Sequence, residues 1–216
     1  GAHVGICLDG DADRVIFCDE KGTVIDGDRV LCLCAKALKG QGKLKGDTLV
    51  ATVMSNLGLR DALEKDGISL ETTGVGDRLV IERMREKDYN LGGENSGHII
   101  YSDHATTGDG IMSALMVLSM MREQGVSMSA LADCMDIYPQ VLLGLDVKEK
   151  PPIEEVPEIH NAVQVAEAAF ATKGRVLVRY SGTERKIRVL TECSDSELAQ
   201  TQADLIAAAI KATIGA

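Results

Sequence analysis

The sequence predicts two folded units, an α/β domain with a mostly parallel sheet followed by a small α+β domain with an antiparallel sheet. Three observations carry this. Up to about residue 137, short apolar runs alternate with amphipathic stretches, the pattern of strands returning through helices. Beyond Tyr138-Pro139 the order changes to strand, helix, strand, strand, helix. The chain has 216 residues, 45% hydrophobic and 26% charged, which is long enough and apolar enough for one or two buried cores.

The elements follow in order. Val4–Leu8 reads as a short buried strand, with further strands at 14–18 and 23–25 around Glu20-Lys21-Gly22. A helix is predicted from Gly27, carried by Val30, Leu31, Cys34, Ala35 and Leu38 and stopped by Gly40. Strands are expected at 49–53, 69–73, 89–92 and 99–101, with helices at 57–65 and 77–87. The stretch 109–123 is apolar on most faces, so it reads as a deeply buried helix with Asp109 as its N-cap. In the second unit the strands are 141–148, 175–179 and 186–191. Helices run over 159–171, with Val163, Ala166, Ala169 and Phe170 as the apolar stripe, and over about 195–214.

Composition excludes some functions. A net charge of −10 argues against a nucleic-acid surface. No apolar run approaches the ~18 residues of a membrane span, and Gly1-Ala2-His3-Val4 is not a targeting sequence. The start lacks Met and enters a strand almost at once, as a piece cut from a longer chain does. The six cysteines have no zinc-site spacing and read as small reduced core residues, which predicts a cytoplasmic protein.

Three polar loops carry the chemistry. In Asp9-Gly10-Asp11-Ala12-Asp13-Arg14, three carboxylates alternate with small residues at a strand end. Turned onto one point they repel, and a hard cation such as Mg²⁺ relieves the repulsion. The competing reading is a solvated or calcium-binding turn. An EF-hand is excluded, because Arg14 stands where its glycine belongs. The second loop, Gly92-Gly93-Glu94-Asn95-Ser96-Gly97-His98, sets Glu94, Ser96 and His98 at alternate positions, able to grip sugar hydroxyls or an amine. Its bland reading is a hydrogen-bonded loop with a satisfied histidine. The third places Arg179, Arg185, Lys186 and Arg188 around Ser181-Gly182-Thr183, a phosphate-binding composition in an otherwise acidic chain. A charged surface hairpin is its alternative. Together the loops point to a phosphorylated sugar.

These loops resemble the α-D-phosphohexomutase superfamily, and most closely its bacterial glucosamine-phosphate branch. Asp9–Arg14 is similar to the family's metal loop, Gly93–His98 to its Gly-Glu-x-Ser-Gly-His sugar loop, and Arg179–Glu184 to its Arg-x-Ser-Gly-Thr-Glu phosphate loop. Thr52–Asn56 and Val75–Arg78 agree as well. The resemblance covers essentially the whole chain. It implies a four-domain mutase moving phosphate between the 6- and 1-positions of a hexose, through a phosphoserine and a bisphosphorylated sugar.

It also implies roles. Asp9, Asp11 and Asp13 would bind Mg²⁺, and Arg14 would stabilise the transferring phosphoryl group. Glu94, Ser96 and His98 would hold the sugar; Arg179, Ser181, Gly182, Thr183 and, more weakly, Arg188 would hold the non-reacting phosphate. Asn95 favours a hexosamine phosphate over mannose or glucose phosphate as substrate. The implied organisation is the end of domain two at 1–26, a three-layer α/β domain three at 27–137, and domain four at 138–216 with a four-stranded type of antiparallel sheet.

The sequence departs from the family in several places. Ala12 replaces a common glycine, and Tyr180 and Arg185 stand where many relatives carry proline. Nothing matches the serine motif Thr-Ala-Ser-His-Asn-Pro, so this chain alone is expected to be inactive, a sugar-phosphate binding module at most. A Mg²⁺-dependent phosphohydrolase is the weakest alternative, since it lacks a Thr/Ser–Lys set. Without neighbours, Val4, Ile6, Leu8, Val15 and Phe17 are expected to lack a core, and to be covered by association, for instance in a homodimer, or to be disordered.

Overall fold

The computed structural model describes all of residues 1–216, and the chain divides into two compact units, Gly1–Ile137 and Tyr138–Ala216. In the first unit β1 (Val4–Leu8), β2 (Val15–Asp19) and β3 (Val24–Ile25) form an antiparallel meander. Asp26 then caps α1 (Gly27–Gly40), its carboxylate accepting from the Arg29 N–H at 3.0 Å.

The main sheet contains β4 (Thr48–Thr52), β5 (Ser69–Thr73), β6 (Leu91–Gly93) and β7 (Ile99–Tyr101) in the order β5-β4-β6-β7. β4 runs parallel to β5 and β6, and only β7 is antiparallel. The helices between them are α2 (Leu57–Lys65), capped by Asn56, and α3 (Asp77–Lys87). Successive residues of β4 show why there are three layers. Leu49 and Ala51 pack with Leu31 of α1 and Leu59 and Leu63 of α2. Val50, on the other face, packs with Val80 and Met84 of α3. A strand buried on both faces has no polar side, which is why Thr48–Thr52 is wholly buried.

Two expectations fail in this unit. Val15 and Phe17 do not lack a core. They and Ile25 are buried in the same cluster as Leu31, Leu49 and Leu91, because β2 lays its inward face against the α/β layers. Ile6 and Leu8 of β1, on the outer edge, do stay exposed at 41% and 43%. The helix α4 (Gly110–Gln124) is likewise not deeply buried. It buries one stripe, Gly110, Ser113, Ala114, Val117 and Met120, and leaves Ile111 and Leu115 more than half exposed. A helix covered by one layer buries one face whatever its composition, and the small Ser113 fits that face because its hydroxyl donates to the Asp109 carbonyl at 2.7 Å. A short α5 (Met128–Ala132), capped by Ser127, was not foreseen; five residues are too few to show a period.

In the second unit β8 (Gln140–Asp146), α6 (Pro157–Phe170), β9 (Gly174–Tyr180), β10 (Lys186–Cys193) and α7 (Ser196–Thr213) follow in order. The sheet has three strands, ordered β8-β10-β9 and antiparallel, so the four-stranded expectation is corrected. Ile187 and Val189 of the central strand pack under Ile159 of α6 and Ile206 and Ile210 of α7. The buried stripe of α6 is Ile159, Ala162, Ala166 and Phe170; it keeps Ala166 and Phe170 of the expected stripe, while Val163 is half-buried and Ala169 is exposed.

Candidate functional site

The acidic loop follows β1. Ala12 takes a left-handed conformation (φ 60°), and its N–H donates to the Asp9 carbonyl at 3.3 Å. The Ala12 carbonyl accepts from the Gly110 N–H at 2.9 Å, fixing the loop on the start of α4. This turn brings one oxygen each of Asp9, Asp11 and Asp13 within 4.8 Å of one another. At that separation a pair of carboxylates repels by about 1 kcal/mol in water, and about 3 kcal/mol near a protein surface. Arg14 offsets part of this. Its Nε lies 3.8 Å from Asp9 Oδ2 and 3.7 Å from Asp13 Oδ1, and its N–H donates to Asp9 Oδ1 at 3.3 Å. The guanidinium is half exposed. Asp13 Oδ1 is buried and accepts no hydrogen bond. Three hard oxygen donors, one of them desolvated without a donor, suit a small hard cation.

The sugar loop packs directly against this turn. The Gly97 carbonyl accepts from the Val15 N–H at 3.0 Å, and the Asn95 carbonyl from the Gly27 N–H at 3.0 Å. Gly97 has φ 91°, and a Cβ there would lie 2.2 Å from the Val15 carbonyl oxygen, so no side chain fits. Glu94 is anchored: Oε1 accepts from the Gly76 N–H at 3.0 Å and Oε2 from the Ser96 hydroxyl at 3.5 Å. Ser96, Asp9 and Arg14 line one shallow depression of about 280 Å³.

His98 is where the structure departs from the expected role. Its side chain is buried, and both ring nitrogens are taken by the protein. Nε2 accepts from the Gly108 N–H at 3.1 Å, so the ring proton sits on Nδ1 and is donated to Asp13 Oδ2 at 3.1 Å. With neither nitrogen free, His98 does not grip a sugar in this arrangement. It orients the third carboxylate of the acidic loop. Gly108 is the residue that sequence reasoning missed. A Cβ there would lie 2.5 Å from the imidazole, so only glycine lets the backbone reach the ring. Its signal in the sequence was Gly108-Asp109-Gly110, two glycines around a helix cap. Gly76, which holds Glu94, lies within the Val75–Arg78 stretch.

The phosphate-like loop joins β9 to β10 in the second unit. Ser181 is buried. Its N–H donates to the Lys186 carbonyl at 2.8 Å, its hydroxyl accepts from the Glu184 N–H at 3.3 Å, and its carbonyl accepts from Lys150 Nζ at 2.6 Å. Gly182 and Thr183 are exposed at the tip. Arg179 and Arg188 stand directly opposite each other across the β9–β10 ladder, on the face away from Ile187 and Val189. Like charges placed so are unfavourable until an anion lies between them. Glu184 Oε2, 3.3 Å from Arg188, compensates one of the two. The Tyr180 hydroxyl donates to the Pro151 carbonyl at 2.7 Å, so this end of the strand is pinned without a proline.

Residues 26–138 match the description "Phosphoglucomutase/phosphomannomutase, alpha/beta/alpha domain III", and residues 142–209 match the C-terminal domain of the same family. The chain belongs to the phosphoglucomutase/phosphomannomutase family. Curated relatives in this family carry the name phosphoglucosamine mutase. One from Anaeromyxobacter dehalogenans is 49% identical over 215 residues, covering 100% of this chain and 47% of its own length. One from a Geobacter species is 50% identical over 215 residues, again 100% of this chain and 47% of its own length. The chain thus spans about half the length of the curated relatives it matches. Among solved structures, Aspergillus fumigatus N-acetylphosphoglucosamine mutase, in complex with GlcNAc-6P and magnesium, superimposes with a TM-score of 0.78 at 22% identity, over 95% of this chain and 51% of that one. That likeness shows the shared fold. No helix of this family member is long and apolar enough to cross a membrane.

Proposed function

We propose that this chain forms the metal-binding, sugar-binding and phosphate-binding parts of a phosphoglucosamine mutase, which interconverts glucosamine 6-phosphate and glucosamine 1-phosphate through a phosphoserine and a 1,6-bisphosphate intermediate. The observation that carries the reading is the hydrogen-bonded link from Asp13 through His98 to the sugar loop, beside Arg14. It joins an acidic, cation-suited turn to a polyol-suited loop in one rigid piece. The names of the relatives at 49–50% identity support the same substrate class.

In this reading Asp9, Asp11 and Asp13 hold Mg²⁺, and their convergence and the orphaned Asp13 oxygen fit it. The ion supplies Lewis-acid neutralisation of phosphoryl oxygens when bound. Arg14 presents its half-exposed guanidinium to the transferring phosphoryl group, where positive charge is worth most as negative charge spreads over the oxygens. Glu94, held by Gly76, accepts from sugar hydroxyls or pairs with a 2-ammonium group, and Ser96 beside Asp9 and Arg14 adds a hydroxyl. Arg179, Ser181, Gly182, Thr183 and Arg188 hold the non-reacting phosphate, which relieves the opposed arginines. His98 acts as a positioning residue. The serine motif has no match among these residues, so turnover by the 216-residue chain is not expected.

Calorimetry of this chain with glucosamine 6-phosphate, with and without Mg²⁺, tests the reading. Saturable binding is expected, tighter for the glucosamine than for the mannose and glucose phosphates, without turnover in a coupled assay. Tighter binding of mannose or glucose phosphate would reassign the sugar to a phosphomannomutase/phosphoglucomutase. No binding of any sugar phosphate, or turnover by this chain, overturns it.

A further inference from the structure

A cleft of about 560 Å³ between α1, α4 and α5 lies apart from these loops and is lined by Leu33, Lys36, Met120, Ala130 and Cys134. Cys134, two residues beyond α5, is half-buried at its wall. Three successive turns of α1 bracket it. Its thiol donates to the Arg29 carbonyl at 3.6 Å, and its carbonyl accepts the Cys32 thiol at 3.6 Å and Lys36 Nζ at 2.9 Å. Arg29, Cys32 and Lys36 are spaced to share one face of the helix, so that face presents a thiol and an ammonium group to Cys134.

We propose that Cys32 and Cys134 form a peroxide-responsive thiol pair, closing to a disulfide that ties α1 to the segment after α5. The pKa of Cys134 is lowered, chiefly by the neighbouring Cys32 thiol and further by the Lys36 ammonium. The same partnership, and after it burial, raises Cys32, which makes Cys134 the attacking thiol. Cys34 offers the contrast. Burial pushes it up to about 12, and the Tyr101 hydroxyl covers its sulfur at 2.8 Å.

The chemistry balances with a hydroperoxide as oxidant. The Cys134 sulfur attacks one oxygen of hydrogen peroxide, the O–O bond breaks, and water leaves with the thiol proton, giving a sulfenic acid. The Cys32 sulfur then attacks the Cys134 sulfur, the S–O bond breaks, and the Cys32 proton departs in a second water. Two thiols and one peroxide become one disulfide and two waters. The position of the pair gives the step its consequence. α1 begins at Gly27, whose N–H holds the sugar loop through Asn95, and the closed pair anchors the same helix further along.

The test is oxidation of the whole chain with hydrogen peroxide, alkylation of the remaining thiols, and peptide mapping without reduction. A Cys32–Cys134 linked pair of peptides is expected as the main product, reversed by dithiothreitol and absent from Cys134→Ser. The melting temperature of the oxidised protein should rise by roughly 5–10 °C, because the bond closes a long loop. Cys32→Ala, which keeps the attacking thiol, should stop at the Cys134 sulfenic acid and be trapped by dimedone. Separately alkylated Cys32 and Cys134 after oxidation elsewhere, no dimedone adduct on Cys34-intact Cys32→Ala, or a cross-link that lowers the melting temperature would each overturn the proposal.

Discussion

Replacing His98 by alanine removes two hydrogen bonds that meet on one ring. Asp13 Oδ2 loses a donor at 3.1 Å, and the Gly108 N–H loses an acceptor at 3.1 Å. A hydrogen bond to a charged group contributes about 1.5–3 kcal/mol, and a buried N–H left without an acceptor costs about 1–3 kcal/mol. The first unit should therefore lose about 3–5 kcal/mol. Asparagine separates the two terms, because its amide N–H replaces Nδ1–H toward Asp13 while Gly108 stays unpaired. Its loss should be about 1–3 kcal/mol. Urea denaturation followed by circular dichroism measures both. A second readout concerns Asp13 alone: divalent-cation affinity by calorimetry should fall about 10–100-fold in His98→Ala and change little in His98→Asn. If the alanine variant loses under about 1 kcal/mol, or if both variants bind the cation equally weakly, His98 does not orient Asp13.

Further outcomes follow from other contacts. Gly97→Ala, with φ 91° and a Cβ 2.2 Å from the Val15 carbonyl oxygen, should cost at least about 3 kcal/mol in thermal unfolding. Arg179→Ala should weaken inorganic phosphate binding about 10–100-fold in calorimetry while leaving the melting temperature unchanged or slightly higher, since it removes one of two opposed arginines. Glu20 has its carboxyl lowered from 4.5 to about 2, chiefly by the Ser129 hydroxyl. Because the folded pKa is depressed, this contact stabilises the fold above about pH 4.5 and is lost as pH falls toward 2. In Ser129→Ala, an NMR titration should return Glu20 toward 4.5, and an unchanged midpoint would refute the assignment.

Much of the fold was legible because its signals are local. The range 27–40 was readable from an apolar stripe and a terminal glycine, and Asp109 from its place before an apolar run; both are settled within a few residues. The convergence of Asp9, Asp11 and Asp13 was legible too, since alternate residues at a strand end turn together. Exposure was less legible. Ile111 and Leu115 are as apolar as Val117, and only the number of layers over α4 separates them. Val15 and Phe17 read as lacking a core because residues 1–26 resemble a domain remnant without its neighbours; the residues that do cover them, Leu31 and Leu91, are distant in the chain.

The sequence by itself determined the chemistry available here: carboxylates, hydroxyls and guanidinium groups in three loops, on a chain of alternating strands and helices. Tertiary structure decided which of those groups remain free. His98 looked like a sugar ligand in a row of alternating polar residues. It became a buried support for Asp13 because Gly108, ten residues on, closes over its second nitrogen. Residue type and spacing set what a side chain can donate or accept. Only the folded chain sets what already occupies it, because a buried polar group takes the nearest partner that packing brings within about 3 Å.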